Sequence, residues 1–91
     1  MVPEFPNGEV VTLEASFRVH GKLTDPTTVT LTVTDPSANA DEYTYAGGTV
    51  TKISTGQYAK AITTDEKGTW TVAWAGTGTV VDSKTDRFQV V

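Results

Sequence analysis

An all-β domain follows from three features of the 91-residue sequence. Threonine fills 18 positions and valine 12; both are β-branched, stiff at χ1 and better suited to a pleated surface than to a helix. Apolar residues recur with period two in several short runs, which puts alternate side chains on opposite faces of a strand. Gly, Pro, Asp and Ser fall between these runs where turns are needed. Alanine, leucine, glutamate and lysine are nowhere grouped at helical spacing. Six or seven short strands joined by such turns imply a two-sheet sandwich or a small barrel.

Residues 1–8 contain Pro3 and Pro6, which lack a backbone donor, so they are read as an extended arm and residues 9–91 as the folded domain. In an isolated domain this segment is expected to be a frayed end; in an assembled particle, an apolar arm carrying Val2 and Phe5 is equally expected to lie across an adjacent subunit. In residues 11–19, Val11, Leu13, Ala15, Phe17 and Val19 alternate with Thr12, Glu14, Ser16 and Arg18, one dry face and one wet. Gly21, beside His20, breaks that run. After Asp25-Pro26, Val29, Leu31 and Val33 point inward and Thr28, Thr30, Thr32 and Thr34 outward. Asp35-Pro36-Ser37 ends the strand, since proline presets φ and aspartate bonds its own backbone.

Tyr43 and Tyr45 alternate with Glu42 and Thr44 in a short strand stopped by Gly47-Gly48, and their shared parity assigns both to the core. Val50 and Ile53 fall out of phase, which predicts a bulge or a weak edge strand over residues 49–53, bearing Lys52. Ser54-Thr55-Gly56 turns the chain into a strand with Tyr58 and Ile62 on one face. Lys60 between them suits a second edge. Trp70, Val72 and Trp74 share a face of residues 69–75, and Gly76-Thr77-Gly78 reads as a loop. After a polar stretch at 82–86, Phe88 and Val90 close the chain inward.

The turn Asp65-Glu66-Lys67-Gly68 stands directly before Trp70, and immunoglobulin-like folds often set an aromatic at such a corner. With no cysteine in the chain, Trp70 and Trp74 are expected where antibody domains place a disulfide. Phe17 and Phe88 complete the set of core anchors. The expected architecture is therefore an immunoglobulin-like, two-sheet antiparallel sandwich of about seven strands with an extended N-terminal arm.

Three pieces carry a resemblance: Asp25-Pro26-Thr27-Thr28-Val29, Thr55-Gly56-Gln57-Tyr58, and Gly68-Thr69-Trp70-Thr71-Val72-Ala73-Trp74-Ala75-Gly76-Thr77-Gly78. With them, residues 8–91 resemble the small immunoglobulin-like virion structural proteins of tailed bacteriophages and prophages. The resemblance implies a non-enzymatic accessory protein of the particle, decorating the head or sitting at the head–tail neck. It implies capsid or neck (connector) proteins as partners, self-association into a ring or cluster, and synthesis in the host bacterial cytoplasm. It supplies no catalytic residue and no cofactor. A short chain standing alone is expected to be a dedicated virion component rather than one repeat of a long adhesin.

Eleven acidic against seven basic residues leave a net charge of −4, which argues against a phosphate-tracking nucleic-acid surface. No apolar run approaches the roughly 20 residues of a membrane helix, and the N-terminus lacks the basic and apolar pattern of an export signal. The absence of cysteine removes disulfides, thiolate zinc sites and thiol nucleophiles. His20, the single histidine, has no sequence motif pairing it with Ser16, Ser37, Ser54 or Ser83, so a minimal hydrolase cannot be assembled. The glycine pairs precede no helix and are turns, not phosphate cradles.

Asp35, Asn39, Asp41 and Glu42 are oxygen donors within one loop, but their spacing is not that of the helix–loop–helix calcium motif, and turn chemistry accounts for them. Glycoside hydrolysis needs two acids facing across a cleft, whereas the acids here sit mostly in turns. The outward threonine row is an ordinary solvated face first and a docking face for a subunit or polysaccharide second. A carbohydrate- or cell-surface-binding module is the rival function, with Tyr43 and Tyr45 as its stacking rings. The interface residues expected under the virion reading are Val2, Phe5 and the edge lysines Lys52 and Lys60.

Overall fold

The computed structural model describes residues 4–91, so Val2 lies outside the described residues. Ten strand segments follow one another: β1 (Glu4–Phe5), β2 (Val10–Ser16), β3 (Arg18–Val19), β4 (Lys22–Leu23), β5 (Thr28–Thr34), β6 (Ala40–Thr44), β7 (Thr51–Ser54), β8 (Gln57–Thr63), β9 (Gly68–Thr77) and β10 (Asp82–Val90). Among the described residues there is no helix. One sheet has the order β1-β10-β9-β5-β6, a second β2-β8-β7, and β3-β4 form a separate hairpin. The inward faces of the two larger sheets share a single apolar core, a sandwich-like arrangement.

Alternation explains the central strands. Val11, Leu13 and Ala15 of β2 are buried, and Thr12 and Glu14 between them are exposed. Val29, Leu31 and Val33 of β5 face Trp70, Val72 and Trp74 of β9 within the same core. The expected anchors Phe17, Trp70, Trp74 and Phe88 are all buried. Trp70 stacks on Phe88 with ring centroids 5.9 Å apart, and Phe5 meets Phe88 edge-on at 5.6 Å. The Trp70 indole N–H donates to the Glu66 carbonyl at 3.0 Å, tying the turn to the strand that follows. The β3–β4 hairpin turns through His20 (φ 50°) and Gly21 (φ 80°), the left-handed pair that a two-residue hairpin requires.

Phe17 interrupts the run between β2 and β3. Its N–H donates to Gly56 O at 2.7 Å, and its carbonyl accepts from Thr24 N–H at 3.0 Å. The first strand thus bends over the β7–β8 turn instead of running straight to Val19. The out-of-phase segment is a bulge at an edge: the β7–β8 register shifts between Lys52 and Ser54. That shift leaves Ile53 exposed while Val50 is buried.

Four expectations need correction. β1 pairs with β10 in parallel, because the chain leaves the large sheet after Phe5 and crosses to the small one at β2; the sandwich is not wholly antiparallel. Tyr45 is not core: β6 ends at Thr44, and Tyr45 opens the turn whose carbonyl accepts Gly48 N–H. Its ring is 46% exposed, with one edge on Tyr58 at 5.4 Å.

Lys60 is not on an edge strand, since β8 lies between β2 and β7. Pairing with β7 reaches only Ala59, so Lys60 sits where that neighbour stops, with its ammonium 4.9 Å above the Tyr43 ring. Gly76 and Thr77 are strand rather than loop. Glycine at 76 gives close-packing room, since a Cβ there would stand 3.0 Å from the Phe17 ring and from Pro26 Cγ. The polar stretch at 82–86 lies within β10, paired with β9 from Asp82↔Gly76 to Val90↔Gly68. A backbone ladder holds it, without apolar side chains.

Candidate functional site

Among the described residues, the outer edge of β10 is uncovered along most of its length. Its inner side is paired throughout with β9, while β1 covers only Gln89 and Val90 on the other side. Among the described residues nothing pairs with Asp82 to Phe88 there. β2 is likewise the end strand of its own sheet. Between these edges lies a groove of about 330 Å³ floored by Val11, Leu13, Val72, Trp74 and Phe88, with Phe5 beside them. Glu14, Lys84, Asp86 and Arg87 form its charged rim.

Backbone polarity along this edge follows from the last residue. Val91 N–H donates to Phe5 O at 2.9 Å, and Val91 O accepts from Asn7 N–H at 3.2 Å. Groups alternate in direction along a strand, so Gln89, Arg87, Thr85 and Ser83 also aim their N–H and C=O toward the open side. Two of these donors carry a side-chain cover. Ser83 N–H donates to Asp82 Oδ1 at 2.9 Å, and Arg87 N–H donates to Asp86 Oδ1 at 2.8 Å. Lys84 and Asp86 share the parity of the buried Phe88 and Val90, which puts opposite charges side by side at the groove mouth. Lys84 also pairs with Asp82 at 3.2 Å, an exposed contact of small energetic weight.

Two other clusters bear on the expected site residues. Lys52 is spent within the chain: its ammonium meets Asp25 Oδ2 at 2.7 Å. Asp25 Oδ1 also accepts Gly56 N–H at 2.7 Å and Tyr58 O–H at 3.2 Å. The Lys52 hydrogen bond, followed by that of Gly56, holds the Asp25 carboxyl below its ordinary range. The same partner raises Lys52, and burial, then the charge of Asp25, raises the Tyr58 hydroxyl. This clamp joins the β4–β5 link to the β7–β8 turn; it is a structural device.

The second cluster surrounds Tyr43, where Asp35, Asp41, Lys60 and Asp65 line a polar depression. Burial and then the charge of Asp41 push the Tyr43 hydroxyl up. Asp35 caps its own turn, accepting Ser37 N–H at 3.0 Å and Asn39 N–H at 2.9 Å. Among the described residues no three His, Asp or Glu side chains gather to hold a metal ion.

Of the four expected interface residues, Phe5 packs on Phe88, Lys52 binds Asp25, Lys60 covers Tyr43, and Val2 is outside the described residues. His20 is exposed at the hairpin tip. The threonine row forms part of a flat outer face, with Thr30 flanked by Thr44 and Ala75 and Thr32 by Glu42 and Ala73. Sequence reading missed the β10 edge because residues 82–87 contain no apolar member. The available signal was their alternating charge, a common mark of edge strands. The chain matches no protein-family model, and no curated protein or solved structure matches it either.

Proposed function

We propose that this chain is a non-enzymatic structural module of immunoglobulin-like fold that docks on a repetitive protein surface, as an accessory protein of a tailed-phage virion at the capsid or the head–tail neck. The observation that carries the docking part is the uncovered edge of β10 above an apolar groove. An open strand edge offers main-chain hydrogen bonds for strand addition, and pockets beside it supply specificity. The immunoglobulin-like assignment draws support from the sheet orders. β2-β8-β7 against β6-β5-β9-β10 corresponds to the B-E-D and C′-C-F-G strands of variable-type domains. Placement in a virion rests on the resemblance of the three sequence segments alone.

Quantitative mass spectrometry of particles purified from the strain that encodes the chain tests the reading. A copy number matching the major shell subunit assigns it to capsid decoration, and a ring-sized number assigns it to the neck or tail. Absence from particles refutes the virion role. A carbohydrate-binding role is favoured by one observation, the half-exposed ring of Tyr45. A glycan-array signal abolished by Tyr43→Ala and Tyr45→Ala would establish it.

A further inference from the structure

We propose that the partner of the β10 edge is a second copy of this chain, paired antiparallel about a twofold axis at Thr85. Self-association is a specific form of the docking role above, yet it can fail while docking on a foreign lattice stands.

Direction and register both follow from residues already placed. Ser83, Thr85 and Arg87 aim their backbone groups at the open side, so odd residues must face odd residues across the new ladder. With the twofold at Thr85, Thr85 pairs with its own copy and Ser83 with Arg87 of the other chain. The even residues then fall in the closer, non-hydrogen-bonded positions, Cα atoms roughly 4.5 Å apart. There Lys84 faces Asp86 of the second copy, and Asp86 faces its Lys84. Opposite charges directly across a strand pair are favourable, and like charges are unfavourable.

Neighbouring registers are selected against. A twofold at Lys84 sets Lys84 on Lys84 and Asp82 on Asp86. A twofold at Asp86 sets Asp86 on Asp86. A twofold at Ser83 is charge-compatible but runs off the strand, which begins at Asp82. A twofold at Arg87 runs into β1, which already occupies Gln89 and Val90. Charge rejects the registers centred on Lys84 and Asp86, and the strand start and β1 reject those centred on Ser83 and Arg87, which leaves the register at Thr85.

Two more features fit this arrangement. The carboxylate covering Arg87 N–H, that of Asp86, is exposed, and that of Asp82 over Ser83 N–H is partly so; carbonyls of the incoming strand replace them and free Asp86 for Lys84. Val81, 84% exposed, comes level with Gln89 of the second copy, beside the start of its β1. Pairing through five or so residues buries less than a standard interface, so a weak, concentration-dependent dimer with Kd roughly 10 μM to 1 mM is expected.

Sedimentation velocity on the purified chain across that concentration range reads the equilibrium. The wild type should pass from monomer to dimer. Lys84→Asp and Asp86→Lys each create two like-charge contacts and should weaken association at least about tenfold, the equivalent of about 1.4 kcal/mol. An equimolar mixture of the two restores both opposite-charge contacts and should associate like the wild type.

Thr85→Pro removes a donor aimed at the open side, where proline is tolerated. It should abolish dimers while circular dichroism and the melting profile remain native. A wild type that stays monomeric near 1 mM, single variants that dimerise like the wild type, or a mixture that fails to associate would each overturn the proposal. A monomeric chain that is nonetheless present in particles would leave the virion role standing without self-pairing.

Discussion

Gly56 is the position where backbone conformation and close packing meet, and replacing it by alanine separates the two. Its φ is +73°, and a Cβ there would stand 2.8 Å from Phe17 O and 2.8 Å from Thr24 N. Those two atoms are already hydrogen-bonded to each other at 3.0 Å, and neither belongs to a side chain that can swing away. Gly48 is the control: its φ is +80°, with nothing within 4 Å of the added atom.

A left-handed alanine costs about 1–2 kcal/mol, which is all that Gly48→Ala should lose. Gly56→Ala should lose that amount and also loosen the Phe17–Thr24 bond and its neighbours, at about 1–3 kcal/mol for a buried group left unpaired. The total, roughly 2–5 kcal/mol, is a large part of the ~5–14 kcal/mol expected for a domain of this size. In melting temperature the control should fall by roughly 4–16 °C and Gly56→Ala by roughly 8–40 °C, at 4–8 °C per kcal/mol. Urea unfolding followed by circular dichroism gives both free energies with one probe. Equal losses in the two variants would refute the packing argument around Phe17.

Acid should weaken the Asp25 clamp. A carboxyl held below its ordinary value of 3.8 adds stability that is complete above that value and is lost as pH falls through the lower folded value. The urea midpoint of the wild type should therefore exceed that of Asp25→Asn by a constant margin above about pH 5 and converge with it below the ordinary carboxylate range. A margin unchanged down to about pH 2 would contradict an ionic clamp. Trp70→Phe keeps the ring on Phe88 but removes the donor to Glu66 O; it should cost about 1–3 kcal/mol, read by chemical denaturation. Phe5→Ala removes the edge contact with Phe88 and should cost about 1–3 kcal/mol. An unchanged melting curve would mean that β1 does not secure the end of β10.

Period-two alternation made β2, β5 and β9 legible, since each has one face on the core and one in water. The aromatic corner at Trp70 was legible for a similar reason, a turn followed at once by a large ring. Alternation says nothing about which strand neighbours which, so Lys60 looked like an edge residue although β8 is flanked on both sides. Gly76 looked like a loop because the packing reason for it lies in Phe17, far away in sequence. Tyr45 kept the parity of Tyr43 for one residue beyond the end of β6. Residues 82–87 form a strand through main-chain pairing with β9, a long-range cause that composition does not record. The open edge of β10 was hidden with them.

Amide hydrogen exchange along β10, residue by residue, tests the docking edge most directly. In dilute chain the N–H groups of Ser83, Thr85 and Arg87 should exchange fast, and those of Lys84 and Asp86, bonded to β9, should be protected. On concentration, or in the assembled state, Ser83, Thr85 and Arg87 should gain protection together while the rest of the outer surface stays unchanged. Association that leaves these three amides exchanging as fast as before would contradict docking through the β10 edge.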